Sequence, residues 1–319
     1  MILTVTLNPS VDTLYKLDTL NIDSVNRTAP LKVLGGKGVN AARVLSILGS
    51  QAIVTGFLGG YNGQYFSDNL NVLLKNNPMK NEFIKCHDET RNCITIMHDS
   101  GKQTEINELG PRISNNELNQ LLSKIKNIIN TRSINIVVIS GNIPIGVDED
   151  IYYQLISLIN SLNLDIKVIL DTSQDVLKKT LKLCSENCTF PYAIKPNIHE
   201  LKEISPIASN DIAKLISACS MDNIPIVIVS MGSKGCFAKI KSSIYSATVK
   251  PITAVNPTGS GDSSVGALAY AIENNLSDKN LIQCSMAAGE ANALEENIGY
   301  ISKNKYQEYY NYVKVKKIV

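Results

Sequence analysis

The chain has 319 residues and a formal net charge of +2; 44% of its residues are hydrophobic and 19% are charged. This composition fits a globular protein with a large core and excludes a disordered chain, and it gives no basis for nucleic acid or a membrane as the main partner. No apolar run reaches membrane-spanning length, and the first residues read as a strand rather than a signal peptide. The seven scattered cysteines favour buried or partly buried free thiols in a reducing cytoplasm.

Strand-like and helix-like segments alternate along most of the chain. Runs of β-branched residues predict strands, namely Ile2–Leu7, Ala52–Phe57, Ile134–Ser140, Ile166–Asp171, Tyr192–Lys195 and Ile224–Ser230. Amphipathic stretches predict helices, namely Val39–Leu48, Gln64–Leu74, Asn115–Ile129, Glu149–Leu162, Asp211–Ser220, 262–274, 278–295 and 303–312. The tail Tyr312–Val319 alternates Val and Lys like a final strand. This order predicts an α/β fold with a doubly wound, mostly parallel sheet flanked by helices.

Residues 12–34 and about 88–108 depart from this alternation, because they look like short strands without crossover helices. Within the second region, Thr90–His98 and Gln103–Ile106 predict a hairpin with its turn at Asp99–Lys102. An inserted β layer of this kind can cover the C-terminal ends of the sheet strands, where open α/β sheets bind ligands. We therefore expect one main domain over residues 1–319, with a small β-sheet lid inserted from these two regions.

The stretch Asn256–Ser264 is a glycine-rich turn that begins a helical pattern. Gly259 and Gly261 allow a ligand to come close, and the unpaired N–H groups of a helix start suit an anion. Asp262 at the same point can act as a base that removes a proton while these N–H groups stabilise negative charge. The local sequence equally allows Ser260 or Asp262 to be no more than an N-cap.

A second glycine-rich turn, Gly35–Asn40, also leads into a helix. Its glycines permit close backbone approach, and Lys37 and Asn40 can meet a polar or phosphorylated ligand. The turn lacks the spacing of a Walker A loop. Taken alone, it is also accounted for by a tight strand-to-helix turn without a ligand.

Polar turns follow several predicted strands at the sheet edge where α/β proteins bind ligands. Asp12 can accept hydrogen bonds from sugar hydroxyls or belong to an ordinary turn. Arg91 can hold a phosphate through two N–H bonds, unless it is a solvated surface residue. Asn197 and Glu200 can position a hydrated Mg²⁺, or they can simply cap a helix. The turn Ser230–Gly235 can admit a nucleotide or connect two strands of a hairpin.

Two of these segments together carry a family resemblance. Gly35–Asn40 and Asn256–Asp262 resemble the paired signatures of the phosphofructokinase B carbohydrate kinases, within the ribokinase-like superfamily. The resemblance covers essentially the whole chain, and Thr6–Asp12, Val25–Arg27 and Thr90–Asn92 resemble the branch that holds tagatose-6-phosphate kinase and 1-phosphofructokinase. It implies a ribokinase-like α/β sheet with a β lid, and a homodimer that forms through the lid.

The resemblance also assigns roles to individual residues. The residue that matches the catalytic base is Asp262, and the backbone of Gly259, Ser260 and Gly261 matches the anion hole. The residues that match substrate-site positions are Asp12, Gly36, Lys37, Asn40, Arg91 and, less closely, Ser140. Those that match the nucleotide side are Lys195, Asn197, Ser230, Gly232, Gly235 and Asn292, with Glu200 at the Mg²⁺-water position. The sequence around Asn292 matches the family only loosely.

The activity that the resemblance implies is transfer of the ATP γ-phosphoryl group to a ketohexose phosphate, giving a 1,6-bisphosphate, with Mg²⁺ and a monovalent cation as cofactors. Because Glu89–Ile94 and Gln103–Ile106 look more like the tagatose-6-phosphate kinase subgroup, the resemblance favours tagatose 6-phosphate over fructose 1-phosphate. One alternative is a kinase of an unphosphorylated sugar or nucleoside, against which Lys37 and Arg91 argue. Another is a non-catalytic sugar- or nucleotide-sensing protein on the same fold. A hydrolase with Ser263 as nucleophile is disfavoured, because none of the three histidines lies in a triad motif.

Overall fold

The structure is a computed structural model that describes residues 1–162, 164–172, 174–219 and 221–318. Its strands are β1 (Ile2–Thr6), β2 (Ser10–Lys16), β3 (Leu31–Gly35), β4 (Ala52–Gly59), β5 (Lys80–Asn81), β6 (Ile84–Cys86), β7 (Arg91–His98), β8 (Lys102–Asn107), β9 (Ile136–Ser140), β10 (Lys167–Asp171), β11 (Ala193–Ile194), β12 (Ile226–Ser230), β13 (Cys236–Ile240), β14 (Ser243–Thr248) and β15 (Lys314–Lys317).

The helices are α1 (Lys37–Leu48), α2 (Gly60–Asn69), α3 (Asn115–Thr131), α4 (Ile151–Ser161), α5 (Gln174–Glu186), α6 (Ile198–Ile204), α7 (Ile212–Ala218), α8 (Ser260–Glu273), α9 (Asp278–Ala293) and α10 (Lys303–Tyr312). Short 3₁₀ turns precede and follow β12. Within the described ranges, no helix combines the length and the apolar character that crossing a bilayer requires.

An 11-stranded sheet forms the body of the protein, in the order β15-β14-β13-β12-β11-β10-β9-β1-β4-β5, with β6 also beside β4. The strands from β12 to β5 pair in parallel, while β13, β14 and β15 add an antiparallel edge. Successive residues of a strand point to opposite faces, so Ile2 belongs to the hydrophobic cluster that includes α1, α8 and α9, whereas Leu3 belongs to the one that includes α3 and α4. The predicted doubly wound, mostly parallel sheet is therefore confirmed.

A separate 4-stranded sheet has the order β3-β2-β7-β8. The predicted hairpin is present as β7 and β8, and the strands predicted within residues 12–34 are β2 and β3. β2 and β7 pair in parallel, with Ser10 opposite Arg91 and Asp12 opposite Cys93. This register places Asp12 and Arg91 on neighbouring strands at the start of the small sheet.

Several elements differ from the sequence-based expectation. The hairpin β13–β14 and helix α5 were not predicted, and α2 begins and ends earlier than the predicted Gln64–Leu74. The predicted helix Asp211–Ser220 and the predicted tail strand Tyr312–Val319 are present as α7 and β15, but their last residues lie outside the described ranges. All seven cysteines are free thiols, and Cys188 is exposed rather than buried.

Helices α1 and α8 cross at very short range on one face of the large sheet. A side chain at Gly266 would collide with the carbonyl oxygen of Ala41, so the crossing requires glycine at this position. The N-termini of both helices consequently lie at the carboxyl ends of the parallel strands, which is where the candidate site forms.

Candidate active site

Helix α8 begins at the glycine-rich turn and presents free N–H groups. Its N-cap is Gly259 with φ of 81°, and no side chain among the described residues caps the helix. Neither Ser260 nor Asp262 is therefore the N-cap, which settles the alternative left open by the sequence. Uncapped first-turn amides at the positive end of a helix dipole form an anion-binding position, and Asp262 lies in that first turn.

Helix α1 begins in the same way at the second glycine-rich turn. Its N-cap is Gly36 with φ of 110°, a backbone conformation that favours glycine, and no side-chain cap is present in the described part of the chain. A Cβ atom at Gly36 would also lie 2.9 Å from Thr6 Cγ2 and 3.1 Å from Pro9 Cα. The site is thus formed at two open helix starts.

Asp262 is held in place by residues of α1. It is 9% exposed, and its Oδ2 accepts a hydrogen bond of 2.8 Å from Asn40 Nδ2. Asn40 Oδ1 in turn accepts one of 3.0 Å from Arg43, whose guanidinium also donates to the carbonyls of Leu34 (2.6 Å) and Ile298 (2.9 Å). Asn40 was predicted to contact the substrate, but the structure directs its amide to Asp262 and Arg43.

The surroundings of Asp262 suit a general base. Burial raises the pKa of its carboxyl to about 6, and Asp171 adds to the rise, while Lys37, Asn40 and Lys195 act in the opposite direction. The carboxylate is therefore ionised at neutral pH and is more basic than an ordinary aspartate. A base whose pKa lies close to the working pH accepts a proton most effectively.

Lys37 lies beside Asp171 at the end of β10. The Asp171 carboxylate is the main influence that raises the pKa of Lys37, with smaller contributions from Asp262 and Glu200. The Ser140 hydroxyl donates to Asp171 Oδ2 at 2.9 Å and is fully buried. Ser140 was predicted to contact the substrate; the structure instead places it behind Asp171, where it orients that carboxylate.

Asp12 and Arg91 form a second group, on the small sheet. Asp12 Oδ1 accepts a hydrogen bond of 2.6 Å from the Ser10 hydroxyl, and its carboxylate packs directly against Gly35. Burial raises the pKa of Asp12 to about 6, although Ser10 and the positive charges of Arg91 and Arg43 pull it down. Arg91 Nε is buried and has no hydrogen-bond partner among the described residues.

A cavity of about 510 Å³ extends from Asp262 along the carboxyl ends of β10, β11 and β12. It brings together most of the residues predicted for the nucleotide and the phosphoryl group, namely Lys37, Lys195, Asn197, Glu200, Ser230, Gly232, Gly235, Ser260, Gly261 and Asp262. Lys195 is 6% exposed, and its ammonium lies over the backbone of Gly261. A buried ammonium beside a helix N-terminus reinforces the positive field for an anion.

Asn292 does not line this cavity. Its side chain is fully buried, and its Nδ2 donates to Thr258 O (2.9 Å) and Ser260 Oγ (3.2 Å). Its Oδ1 accepts from Ser263 Oγ (3.0 Å) and from the Tyr300 amide (3.2 Å). The predicted nucleotide contact of Asn292 thus has no support in this geometry, because the whole amide is used to hold the start of α8.

Asn197 and Glu200 form a complete capping box at the start of α6. Asn197 Oδ1 accepts from the Glu200 amide at 2.9 Å, and Glu200 Oε2 accepts from the Asn197 amide at 2.8 Å. Both residues nevertheless line the cavity, and the hydrogen bond that the Glu200 carboxylate accepts from the Asn197 amide goes to Oε2. In the described chain no cluster of three or more His, Cys, Asp or Glu is arranged to hold a metal directly. The donor set fits a largely hydrated Mg²⁺, which needs few carboxylates.

Three charged residues of the site were not identified from the sequence as functional candidates. Arg43 lies three residues after Asn40 in an otherwise apolar helix segment, and it is 2% exposed. Asp171 ends an apolar strand, and Glu290 interrupts the alanine-rich segment of α9. A charge inside an apolar, periodic segment is the sequence signal that would have identified Arg43 and Glu290.

Comparison with known proteins identifies the family of this chain. Residues 6–304 match the family described as "pfkB family carbohydrate kinase". The chain belongs to the pfkB family. As a member of this kinase family, the pfkB protein is a phosphotransferase with ATP as co-substrate. It is 39% identical to tagatose-6-phosphate kinase of Staphylococcus epidermidis, over 99% of both chains. Phosphofructokinase-2 from Escherichia coli in complex with substrates and products has a TM-score of 0.85 and 27% identity, and the match covers 98% of each chain.

The pKa of Asp262 provides a test of the site geometry in this pfkB protein. Replacing Asn40 with leucine removes the hydrogen bond to Asp262 without opening space for water, so the pKa should rise from about 6 by about one unit, the usual worth of such a bond. The measurement is carboxyl ¹³C NMR of aspartate-labelled protein, with the Asp262 signal assigned from Asp262→Asn.

The matched control is Ser46→Ala, which removes from the same helix a buried hydroxyl that has no partner among the described residues, and it should leave the titration unchanged. An Asp262 carboxyl that titrates near 4 in the unaltered chain would contradict the buried environment described above.

Proposed function

We propose that this protein transfers the γ-phosphoryl group of ATP to a ketohexose phosphate and forms a 1,6-bisphosphate, with tagatose 6-phosphate as the preferred acceptor over fructose 1-phosphate. The observation that carries the proposal is the position of Asp262. Its carboxyl is buried, has a raised pKa and lies at an uncapped helix start, and Lys37 and Lys195 line the same cavity. The choice of sugar is supported by the identity with the staphylococcal tagatose-6-phosphate kinase.

The proposed mechanism assigns the chemical step to Asp262. Its carboxylate takes the proton of the acceptor hydroxyl, which becomes a better nucleophile toward the γ-phosphorus. The N–H groups of Gly261 and Asp262 and the ammonium groups of Lys37 and Lys195 stabilise the charge on the phosphoryl group during transfer. Asn40 and Arg43 act as positioning residues, because they hold the Asp262 carboxylate in one orientation.

The sugar phosphate is assigned to the region between the small sheet and Asp262. In this assignment the Arg91 guanidinium, whose buried Nε has no partner among the described residues, binds the phosphate, and Asp12 binds a sugar hydroxyl. In this assignment the chain is one ribokinase-like domain, and the small sheet is its lid. Closure of the lid over the sugar would exclude water and so limit ATP hydrolysis.

The proposed function also includes two cations, Mg²⁺ and a monovalent cation. Glu200, through water and with Asn197 beside it, would hold Mg²⁺ in the cavity. When bound, Mg²⁺ neutralises charge on the phosphates. We propose a monovalent cation as well, by analogy with the structure of E. coli phosphofructokinase-2 in complex with potassium, to which this chain is similar.

The activity is tested with a panel of acceptors. Release of ADP should be fastest with tagatose 6-phosphate, slower with fructose 1-phosphate, and far slower with free ketohexoses and nucleosides. Asp262→Asn provides the control for a contaminating kinase, since loss of a general base should lower kcat by about 10²–10⁴-fold for every acceptor. Turnover with no acceptor would favour a sensing protein, and equal turnover of free and phosphorylated ketohexoses would contradict the proposed substrate.

The phosphate contact is tested at Arg91. Arg91→Ala should raise KM for the sugar phosphate about tenfold to hundredfold, the usual worth of a charged hydrogen bond, while KM for ATP stays unchanged. Lys102→Ala removes an exposed positive charge from the same sheet and should change neither constant. An equal effect of Arg91→Ala on both substrates would remove Arg91 from the phosphate-binding role.

The proposed homodimer uses the small sheet. β8 is exposed along its whole length, and Ile106, Leu109 and Ile22 on this sheet and its connections are 56%, 76% and 82% exposed. Ile106→Asp should therefore shift the protein toward monomer in sedimentation equilibrium, since a charge in an apolar interface weakens it. Val72→Asp, at a residue 70% exposed on the body, is the control and should have no effect. A monomeric unaltered protein at micromolar concentration would contradict the dimer.

A further inference from the structure

The large cavity changes its chemical character along its length. Lys37, Lys195 and the start of α8 surround the end beside Asp262. The wall contributed by α9 and by the segment after β14 is apolar, and it is formed by Val249, Ile252, Ala254, Met286 and Ala293. A triphosphate suits the charged end, and a flat heterocyclic base suits the apolar wall. The base of the phosphoryl donor therefore belongs against α9.

Glu290 is the acidic side chain within that apolar wall. It lies on α9, lines the cavity and is only 8% exposed. Its Oε2 is completely buried and has no hydrogen-bond partner in the described part of the chain. The carboxyl oxygen that a ligand in the cavity can reach is therefore Oε1. Burial raises the pKa of Glu290 to about 7, as expected for a carboxylate that the protein leaves unsatisfied. Packing of α9 does not account for an acid here, because a buried unpaired carboxylate opposes folding.

Lys250 is the positive charge that acts on Glu290, but it does not pair with it. The Lys250 ammonium lies 3.6 Å from Glu308 Oε1 and 4.2 Å from the ring centroid of Tyr312, on α10. The Lys250 ammonium is thus held by Glu308 and Tyr312, although the Lys250 side chain also lines the cavity. The carboxylate of Glu290 remains available to a donor that enters the cavity with a ligand.

We propose that Glu290 selects the base of the phosphoryl donor by accepting a hydrogen bond from the exocyclic amino group of adenine. The inference rests on the proposed function only in requiring that this cavity holds the nucleotide. Adenine offers an amino N–H at carbon 6, whereas a purine without that group offers a C–H there. A buried acceptor that is satisfied by one base and left unpaired by another discriminates strongly between them.

The test compares ATP with purine riboside 5′-triphosphate, which lacks the 6-amino group, by calorimetry with Mg²⁺ at pH 8 and without sugar. At this pH the Glu290 carboxyl, with its pKa of about 7, is ionised. The unaltered protein should bind ATP about tenfold more tightly or better, the usual worth of a hydrogen bond to a charged group. In Glu290→Ala the two affinities should become nearly equal, and Glu290→Gln, which keeps a carbonyl acceptor, should retain part of the preference.

Met286→Leu is the matched control, because it alters the same wall at similar volume and should leave the ratio of the two affinities unchanged. Equal binding of both nucleotides by the unaltered protein, or an unchanged ratio in Glu290→Ala, would overturn the proposal. A merely structural role predicts that Glu290→Ala weakens both nucleotides alike.

Two further measurements distinguish loss of the proposed contact from unfolding and from failure of the proposed function. Removing an unsatisfied buried carboxylate should not lower the melting temperature of Glu290→Ala, so loss of preference cannot be ascribed to unfolding. Since no sugar is present, failure to phosphorylate a ketohexose phosphate leaves the binding result intact. Absence of any nucleotide binding by the unaltered protein would overturn both this inference and the proposed function.

Discussion

The site depends on the close crossing of α1 and α8. Gly266 allows the helix backbones to meet at Ala41, and this contact fixes two uncapped N-termini side by side at the carboxyl ends of the parallel strands. The hydrogen bond from Asn40 to Asp262 joins the two helices at their first turns. The first-turn amides and Asp262, which we propose as anion hole and base, therefore belong to one packed unit, and electrostatic stabilisation of a transition state requires such preorganisation.

Buried charges around this crossing balance one another. Arg43 is almost completely buried, yet it lies within the field of Asp12 and Asp262 and donates to main-chain carbonyls. Burial lowers the pKa of Arg43 to about 10, so its guanidinium still keeps a full charge at neutral pH. A fixed cation between two carboxylates limits their mutual repulsion and allows both to stay ionised near neutral pH. The structure thus keeps two carboxylates of raised pKa available within one cluster.

The sequence predicted the parallel sheet, the hairpin of the small sheet and the two glycine-rich helix starts, because period and turn chemistry are local properties. It could not separate residues that face the cavity from those behind it. Asn40, Ser140 and Asn292 are polar side chains whose hydrogen bonds run to distant parts of the chain, and only the folded structure shows those partners. The hairpin β13–β14 was missed because its two-residue turn, Lys241–Ser242, contains none of the Gly, Asn or Asp residues that typically mark such a turn.

The small sheet is connected to the body at two adjacent points. β2 follows β1 after only Leu7–Pro9, and β3 runs through Gly36 directly into α1. Any rotation of this sheet must therefore be absorbed by those junctions, one of which is the N-cap of α1 itself. If the small sheet acts as the proposed lid, its rotation would act on the turn that sets the first amides of α1, and sugar binding would be coupled mechanically to the proposed anion-binding position.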